Sequence, residues 1–230
     1  MSINKKLNSY LVQNKELYGN QLFHKRQAIS GKNNYQISSF DQKNSLQDYN
    51  ISICLCQKCN LAKTRKNFVF GEGDSNADLM LVGEAPGEIE DLKGKPFIGK
   101  AGRLLDNILK AINRNRSEGV YIANIVKCSP PDNRDPLQSE VKECEPYLIN
   151  QINIINPKLI VALGKIAAKN LIQQDVVLEK MRNKTHNYNG IPLRITYHPA
   201  ALLRNPDLKK DTWEDFKWIR DYLNKDAKRS

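Results

Sequence analysis

The chain has 230 residues, 40% of them hydrophobic, and a formal net charge of +11 at pH 7; this is enough apolar material for one buried domain and excludes a wholly disordered protein. No run of about 18 apolar residues is present and the N-terminus is rich in Lys and Asn, so we expect neither a membrane span nor a secretory signal, and a cytoplasmic location. The basic excess favours a polyanionic partner, foremost nucleic acid, although an ordinary soluble basic protein has the same composition.

The first 48 residues differ in composition from the rest of the chain. They are rich in Asn, Gln, Lys and Ser, and residues 1–45 hold seven basic and two acidic side chains. Such a composition predicts a flexible basic arm over residues 1–48. A folded domain is then expected over residues 49–230.

Five cysteines, an odd number without a secretory signal, argue against a disulfide framework and for metal ligation or reactive thiols. Cys56 and Cys59 form a C-x2-C chelating pair, and Cys128 and Cys144 complete a set of four thiolates. This set suits either a tetrahedral zinc ion or a 4Fe–4S cluster. A thioredoxin-type redox pair is not favoured, because no strand precedes the pair. Cys54 is interpreted as an unligated thiol near the site.

Short apolar runs alternate with helical patterns along the rest of the chain. The runs predict strands at residues 79–82, 120–126, 159–163 and 193–197. Helical spacing predicts helices near residues 101–112, 139–155 and 165–172, and a last amphipathic helix capped by Thr212. This alternation predicts an α/β fold with three α/β/α layers around a mainly parallel four-stranded sheet, which binds ligands at the carboxyl ends of its strands.

The loop after the first strand, residues 83–91, reads Gly-Glu-Ala-Pro-Gly-Glu-Ile-Glu-Asp. Its glycines allow backbone amides to approach a ligand, and the carboxylates of Glu84 and Glu90 are expected to face the same cleft. An ordinary solvated acidic turn is the simpler interpretation. Residues 99–102 read Gly-Lys-Ala-Gly, where Lys100 and free amides suit a phosphate group, although such helix starts are also common without one.

Three further side chains stand where a planar base could be recognised. Phe97 is either a core residue or an aromatic platform for stacking. Asn124 interrupts an apolar strand, and its amide suits either a pyrimidine edge or a local backbone cap. His198 lies in a loop stiffened by Pro199 and Pro206, as either a ligand contact or a structural histidine.

Together these stretches resemble the motifs of a known enzyme family. Residues 83–91, 95–102, 121–128 and 198–204 look like the signature of the family 4 uracil-DNA glycosylases, iron–sulfur enzymes of the uracil-DNA glycosylase superfamily. The resemblance covers about residues 50 to 224 and does not include the arm. It implies a monofunctional glycosylase that flips uracil out of DNA and hydrolyses its N-glycosidic bond, which initiates base excision repair.

The resemblance also implies roles for the three candidate side chains. Phe97 stacks on uracil, Asn124 bonds the N3 and O4 edge, and His198 donates toward O2, where negative charge grows as the bond breaks. Preorganised donors of this kind lower the barrier without a protein nucleophile.

The same resemblance implies roles for three residues of the acidic loop. Glu84 and Glu90 organise the loop and the attacking water, and either one is a candidate general base. Ala85 contacts the substrate at the place where family 1 relatives carry an Asp, so direct activation of water at that position is not expected.

The expected contacts to DNA lie at the predicted helix start near residue 100 and in the loop that follows His198. Lys100 is expected to meet a phosphate, and Leu202 and Leu203 with Arg204 are expected to form an apolar wedge beside a basic residue that fills the gap left by a flipped base. The expected partner is uracil-containing DNA, single- or double-stranded, and the protein is expected to act as a monomer.

The implied cofactor is a 4Fe–4S cluster on Cys56, Cys59, Cys128 and Cys144, with zinc as the alternative. The competing function is a non-catalytic iron–sulfur or zinc DNA-binding protein, which requires the basic charge and the four cysteines but not the three base-contacting side chains. A radical enzyme using adenosylmethionine requires C-x3-C-x2-C, which the sequence lacks.

Overall fold

A six-stranded sheet forms the centre of the computed structural model, which describes residues 42–174 and 177–227. In chain order the strands are β1 (Glu72–Gly73), β2 (Leu79–Gly83), β3 (Val120–Asn124), β4 (Leu159–Leu163), β5 (His186–Tyr188) and β6 (Ile191–Thr196). Their order across the sheet is β1-β3-β2-β4-β6-β5. The four central strands pair in parallel, and β1 and β5 pair antiparallel at the two edges.

The four parallel strands are those predicted from the apolar runs. The predicted α/β class and the mainly parallel sheet are therefore confirmed. The expected strand number of four is corrected to six within the described residues, because β1 and β5 also join the sheet. These edge strands are two and three residues long, too short for a hydrophobic alternation to reveal them.

Eight helices accompany the sheet in the described part of the chain. They are α1 (Gln42–Ile53), α2 (Glu88–Lys93), α3 (Lys100–Ala111), α4 (Gln138–Ile155), α5 (Lys165–Ile172), α6 (Leu178–Met181), α7 (Pro199–Arg204) and α8 (Leu208–Ala227). Single 3₁₀ turns lie at Asn60–Lys63 and Pro131–Asn133.

Alternate residues of the central strands point into two separate cores. Met80 and Val82 of β2 belong to the core shared with α1, α4 and α5. Leu79 and Leu81 belong to the opposite core, which α3 and α8 complete. Because side chains alternate between the faces of a strand, a strand that is apolar throughout requires helices on both sides. The predicted three-layer α/β/α arrangement is confirmed.

The folded domain begins earlier than predicted. Helix α1 starts at Gln42, inside the segment assigned to the basic arm, and Leu46 is buried in the core. Residues 42–48 therefore belong to the domain, because they are part of this helix and Leu46 packs into the core. The remainder of the predicted arm, residues 1–41, lies outside the described residues.

The last helix also begins earlier than predicted. It starts at Leu208, and Thr212 donates its hydroxyl to the Leu208 carbonyl at 2.9 Å instead of capping the helix. The hydroxyl of a Thr inside a helix can bond to a carbonyl of the preceding turn. From the sequence alone, such a Thr resembles a helix cap. Among the described residues, no helix has the length and apolar character required to cross a membrane.

The sheet topology directs four loops to one edge. The chain passes from β2 to β3 on one side and reaches β4 on the other side of β2, so the strand order reverses at β2. Ligands bind at such a reversal, beyond the carboxyl ends of the strands. Gly83 pairs with Asn124 at this edge, and Leu163 pairs with Thr196.

Candidate active site

A cleft of about 550 Å³ opens at the carboxyl edge of the parallel strands. Its volume lies in the range of small-molecule sites. The predicted site residues among its lining are Glu84, Ala85, Glu90, Phe97, Asn124, His198 and Arg204. The structure thus brings together side chains that four separate motifs contribute.

Asn124 ends β3 with its side chain buried against the cleft. It is 2% exposed, and its Oδ1 has no hydrogen-bond partner among the described residues. Gly83 makes room for this amide, since a Cβ on residue 83 would lie 2.5 Å from Asn124 Oδ1. A buried acceptor without a partner costs about 1–3 kcal/mol. The amide is therefore poised for a donor that a ligand brings.

The ring of Phe97 lines the same cleft. Its centroid lies 5.4 Å from that of the His198 imidazole, and a Cβ on Gly83 would come within 2.5 Å of Phe97 Cζ. The backbone of Phe97 has φ 52°, in the left-handed region that an aromatic residue rarely adopts. Such strain costs about 1–3 kcal/mol and persists only where the surroundings enforce it.

His198 is the N-cap of α7, and this position determines which ring nitrogen carries the proton. Its Nδ1 accepts a hydrogen bond from the Ala200 backbone N–H at 3.1 Å, so the neutral ring is protonated at Nε2. The pKa of His198 is lowered to about 4, chiefly by burial; the charge of Arg204 acts in the same direction and that of Glu90 opposes the shift. The imidazole is therefore a neutral hydrogen-bond donor near pH 7.

Glu84 faces the cleft beside a second carboxyl group. Burial raises the pKa of Glu84 to about 7, and the charge of Asp135 and a hydrogen bond with it act in the same direction. Both side chains line the cleft. A carboxyl group that titrates near neutral pH is suited to bind and orient water.

Glu90 has a different environment from Glu84. Its Oε1 accepts hydrogen bonds from the backbone N–H groups of Ile98 at 2.9 Å and Gly99 at 2.8 Å. Glu90 therefore ties α2 to the loop that carries Phe97. The Glu90 carboxylate therefore organises the loop, whereas Glu84 pairs with a second acid of the cleft, Asp135.

The predicted DNA-contact residues separate into exposed and buried members. Lys100 is exposed at the start of α3, Arg204 lines the cleft, and Leu203 is 47% exposed. Leu202 is only 1% exposed and belongs to the core. The prediction of a wedge role for Leu202 is therefore wrong, because inserting it into DNA would empty its place in the core.

The four predicted cysteine ligands come from three segments. Cys128 and Cys144 are buried, and Cys56 and Cys59 are half-buried. Burial raises the pKa of Cys144 to about 11, and the nearby charges of Cys128 and Cys59 also raise it. Burial likewise raises the pKa of Cys128, with smaller contributions from Cys59 and Cys56. Cys128 and Cys144 belong to one core cluster, and Cys56 and Cys59 pack against it, so the four side chains lie in one region.

Hydrogen-bond donors surround the sulfur atoms. They are Arg65 Nη1 to Cys128 (3.1 Å), Tyr147 Oη to Cys56 (3.1 Å) and the Lys127 backbone N–H to Cys144 (3.3 Å). Lys127 is fully buried, and its Nζ donates to the Asn124 carbonyl at 2.8 Å. One residue thus joins the cysteine site to the strand end that carries the cleft amide.

The thiol of Cys54 is directed elsewhere. It donates to the Ile51 carbonyl, with the two atoms 3.4 Å apart. Within the described residues, no three His, Cys, Asp or Glu side chains are arranged to hold one metal ion.

Comparison with known proteins connects this geometry to a family. The model of the uracil DNA glycosylase superfamily matches residues 70–217. The type-4 uracil-DNA glycosylase of Saccharolobus solfataricus is 45% identical over 177 residues, which cover 74% of this chain and 82% of the relative. That of Archaeoglobus fulgidus is 42% identical, covering 79% and 94% of the two chains, and that of Thermotoga maritima is 40% identical, covering 75% and 91%.

This chain belongs to the type-4 uracil-DNA glycosylases. The family indicated by the sequence motifs is thereby confirmed. In this type-4 glycosylase the structure also identifies cleft residues that the motifs do not indicate. Asp135 lies in an irregular loop without a sequence signal. Gly164 and Lys165 follow a predicted strand, and that position alone could have suggested a place in the cleft. At Gly164, φ is 91° and a Cβ would lie 2.9 Å from His198 Cβ.

Proposed function

We propose that this protein is a monofunctional uracil-DNA glycosylase, which flips deoxyuridine out of DNA, hydrolyses its N-glycosidic bond and so initiates base excision repair. The observation that carries the proposal is the buried, unpartnered acceptor of Asn124 in one cleft with the Phe97 ring and the neutral donor His198. The curated relatives, named type-4 uracil-DNA glycosylases, support the same reaction.

Uracil is recognised by its edge and by its face. The N3–H of uracil supplies the donor that Asn124 Oδ1 lacks among the described residues, and the same side chain carries an amide N–H for O4 beside it. Phe97 stacks on the base, and such stacking contributes about 1–3 kcal/mol per base. The strained backbone of Phe97 and the absence of a side chain on Gly83 serve this placement.

His198 stabilises the leaving group. As the N-glycosidic bond breaks, electrons move onto the base and negative charge grows at O2. A donor fixed at Nε2 by the Ala200 contact binds that oxygen more strongly in the transition state than in the ground state. Removal of one such donor typically lowers kcat by about 10²–10³.

The cleft carboxylate Glu84 acts on the sugar side of the bond. When ionised, it stabilises the cation-like sugar and orients the water that adds to C1′, and the proton lost by the water passes to solvent or to the departing base. Glu90 holds the loop in place through two backbone amides. Ala85 leaves space at the base without offering a group that could activate water.

The DNA surface surrounds the mouth of the cleft. Arg204 and the exposed Lys100 offer charges to phosphates, and Leu203 is the exposed apolar residue placed to fill the gap after flipping. The net charge of +11 supports binding to a polyanion. The proposed substrate is single- or double-stranded DNA that contains uracil, and the protein acts on it as a monomer in the cytoplasm.

The proposal includes a 4Fe–4S cluster held by Cys56, Cys59, Cys128 and Cys144. Four thiols from three segments fit its ligand shell, and hydrogen-bond donors at the sulfur atoms suit thiolates. Four thiolates suit either zinc or a cluster, and the resemblance to the iron–sulfur glycosylases is the reason to propose the cluster. When bound, the cluster supplies a rigid cross-link between these segments rather than redox chemistry.

The test is release of uracil from a labelled oligonucleotide by wild type, Asn124→Ala and His198→Ala. Both variants should lose activity by about 10²-fold or more, while His186→Ala, a histidine outside the cleft lining, should retain it. Full activity in both cleft variants would overturn the site assignment. DNA binding without uracil release by wild type would instead favour the non-catalytic alternative.

The cofactor is tested separately on the purified wild-type protein. A brown protein with iron and acid-labile sulfide at about four each per chain supports the cluster. A colourless protein containing zinc would contradict it. Gel filtration with light scattering checks the monomeric state.

A further inference from the structure

The segment 96–99 before α3 is held on both sides of its backbone. Glu90 accepts the N–H groups of Ile98 and Gly99 at 2.9 and 2.8 Å. The carbonyl groups on the opposite side are bound by Arg116, whose Nη1 donates to the Pro96 carbonyl at 2.8 Å and whose Nη2 donates to the Phe97 carbonyl. The strained residue Phe97 thus lies between two charged side chains. Glu90 binds the backbone N–H groups of the two residues after Phe97, and Arg116 binds the Phe97 carbonyl and that of Pro96.

The guanidinium of Arg116 is itself fixed in place. Its Nε donates to Asp106 Oδ1 at 2.6 Å, and its Nη1 lies 3.5 Å from Glu72 Oε2. Only 18% of the Arg116 side chain is exposed. A planar fork with several donors can bind two successive carbonyls and a carboxylate at once, which an ammonium group cannot reproduce.

The Phe97 carbonyl has little freedom in any other direction. A Cβ on Gly102 would lie 1.7 Å from that oxygen, so the first turn of α3 packs directly against it. Arg116 does not line the cleft, and its contacts with the loop are made to backbone oxygens. These contacts give Arg116 a route to the reaction through the placement of the Phe97 ring.

We propose that Arg116 is a positioning residue for catalysis: by binding the Pro96 and Phe97 carbonyls it holds Phe97 in the left-handed conformation that presents its ring to the base. This inference rests on the proposed uracil glycosylase function. It assigns a role in base recognition to a residue of the loop between α3 and β3, remote in sequence from the motif that contains Phe97.

The test compares Arg116→Lys with Arg114→Lys. Arg114 lies in the same loop and pairs with Asp78 instead of with the Phe97 segment, so it is the matched control. Arg116→Lys should lower kcat/KM for uracil release about 10- to 100-fold, the size expected for a slightly misplaced group, and should weaken inhibition by free uracil. Arg114→Lys should leave both quantities near their wild-type values. Melting temperatures of both variants show whether unfolding accounts for any loss.

A double-mutant cycle with Phe97→Ala provides the decisive readout. If Arg116 acts through the ring, Arg116→Lys should cause less than a threefold further loss when Phe97 is already Ala. Equal losses in both backgrounds would overturn the proposal, as would unchanged uracil inhibition in Arg116→Lys. Should that variant fold poorly, Asp106→Asn loosens the guanidinium without touching Phe97 and should show the same dependence on the ring.

The two proposals fail in distinguishable ways. Wild-type uracil release by Phe97→Ala alone would contradict stacking in the proposed function. A large loss in Phe97→Ala together with wild-type behaviour of Arg116→Lys would leave the proposed function standing and reject only the role of Arg116.

Discussion

Replacement of Glu90 by Gln and by Ala separates an organising carboxylate from a general base. In the structure, Oε1 of Glu90 accepts two backbone N–H groups, from Ile98 and Gly99. A hydrogen bond to a charged group contributes about 1.5–3 kcal/mol and one between neutral groups about 0.5–1.5 kcal/mol. Gln keeps an acceptor oxygen and loses the charge, whereas Ala loses both bonds.

Because Glu90 is half-buried, the lower end of each range applies. Loss of both bonds in Glu90→Ala should then cost about 3 kcal/mol of loop order. That corresponds to about a hundredfold loss in uracil release if the loop must be ordered in the transition state. Glu90→Gln weakens the two bonds by about 2 kcal/mol in total and should lose activity about 30-fold.

Single-turnover uracil release, measured with saturating enzyme, reports these losses without a contribution from product release. Glu88→Gln is the control, since Glu88 is an exposed residue of the same helix. Glu84→Gln should fall further than Glu90→Gln, because it removes the cleft charge itself. Equal inactivation by Glu90→Gln and Glu90→Ala would refute the organising role and identify Glu90 as the group whose charge or basicity the reaction requires.

Further predictions concern other parts of the site. Asn124→Ala should lose at least about 10²-fold in uracil release without a loss of melting temperature, because it removes a buried acceptor that lacks a partner; a melting temperature several degrees lower would contradict this. Asp135→Asn should move the acidic limb of the pH–rate profile to lower pH. The Asp135 charge helps to raise the pKa of Glu84 to about 7, and ionised Glu84 is the active form. A shift of the limb to higher pH would be inconsistent with the pairing of Glu84 and Asp135. Cys144→Ala should lose iron and stability in metal analysis and melting curves, whereas Cys54→Ala should keep both. Leu203→Ala should reduce activity on duplex more than on single-stranded DNA. Leu202→Ala should destabilise the fold by about 2–5 kcal/mol and leave the ratio of duplex to single-strand activity unchanged. The reverse pattern would reject the assignment of Leu203 to the wedge and Leu202 to the core.

The division between Leu202 and Leu203 shows what a sequence leaves open. Both are leucines in one short motif, and both fit an apolar wedge. Helix α7 places one under the domain surface at 1% exposure and the other outward at 47%. The orientation of α7 relative to the core decides this difference. A helix of six residues is too short for its hydrophobic periodicity to reveal which face is buried.

The same limit applies to contacts between distant segments. Asp135 beside Glu84 and Arg116 on the Phe97 carbonyl join loops that are far apart in the chain. Their residue types occur throughout a basic, Asn-rich protein, so no local pattern distinguishes them. The short edge strands β1 and β5 escaped prediction for a related reason, because only their pairing partners define them.

The sequence by itself determined the central parallel strands, the three-layer class and the residues of the cleft motifs. Continuous apolar runs require burial on both faces, and an Asn inside such a run is a local exception that marks a site. Only the tertiary structure decided which oxygen of the cleft remains unpartnered, which imidazole nitrogen carries the proton and which of two acids is committed to the loop. Those properties depend on hydrogen bonds and burial between segments, and the order of residues along the chain does not encode such distances directly.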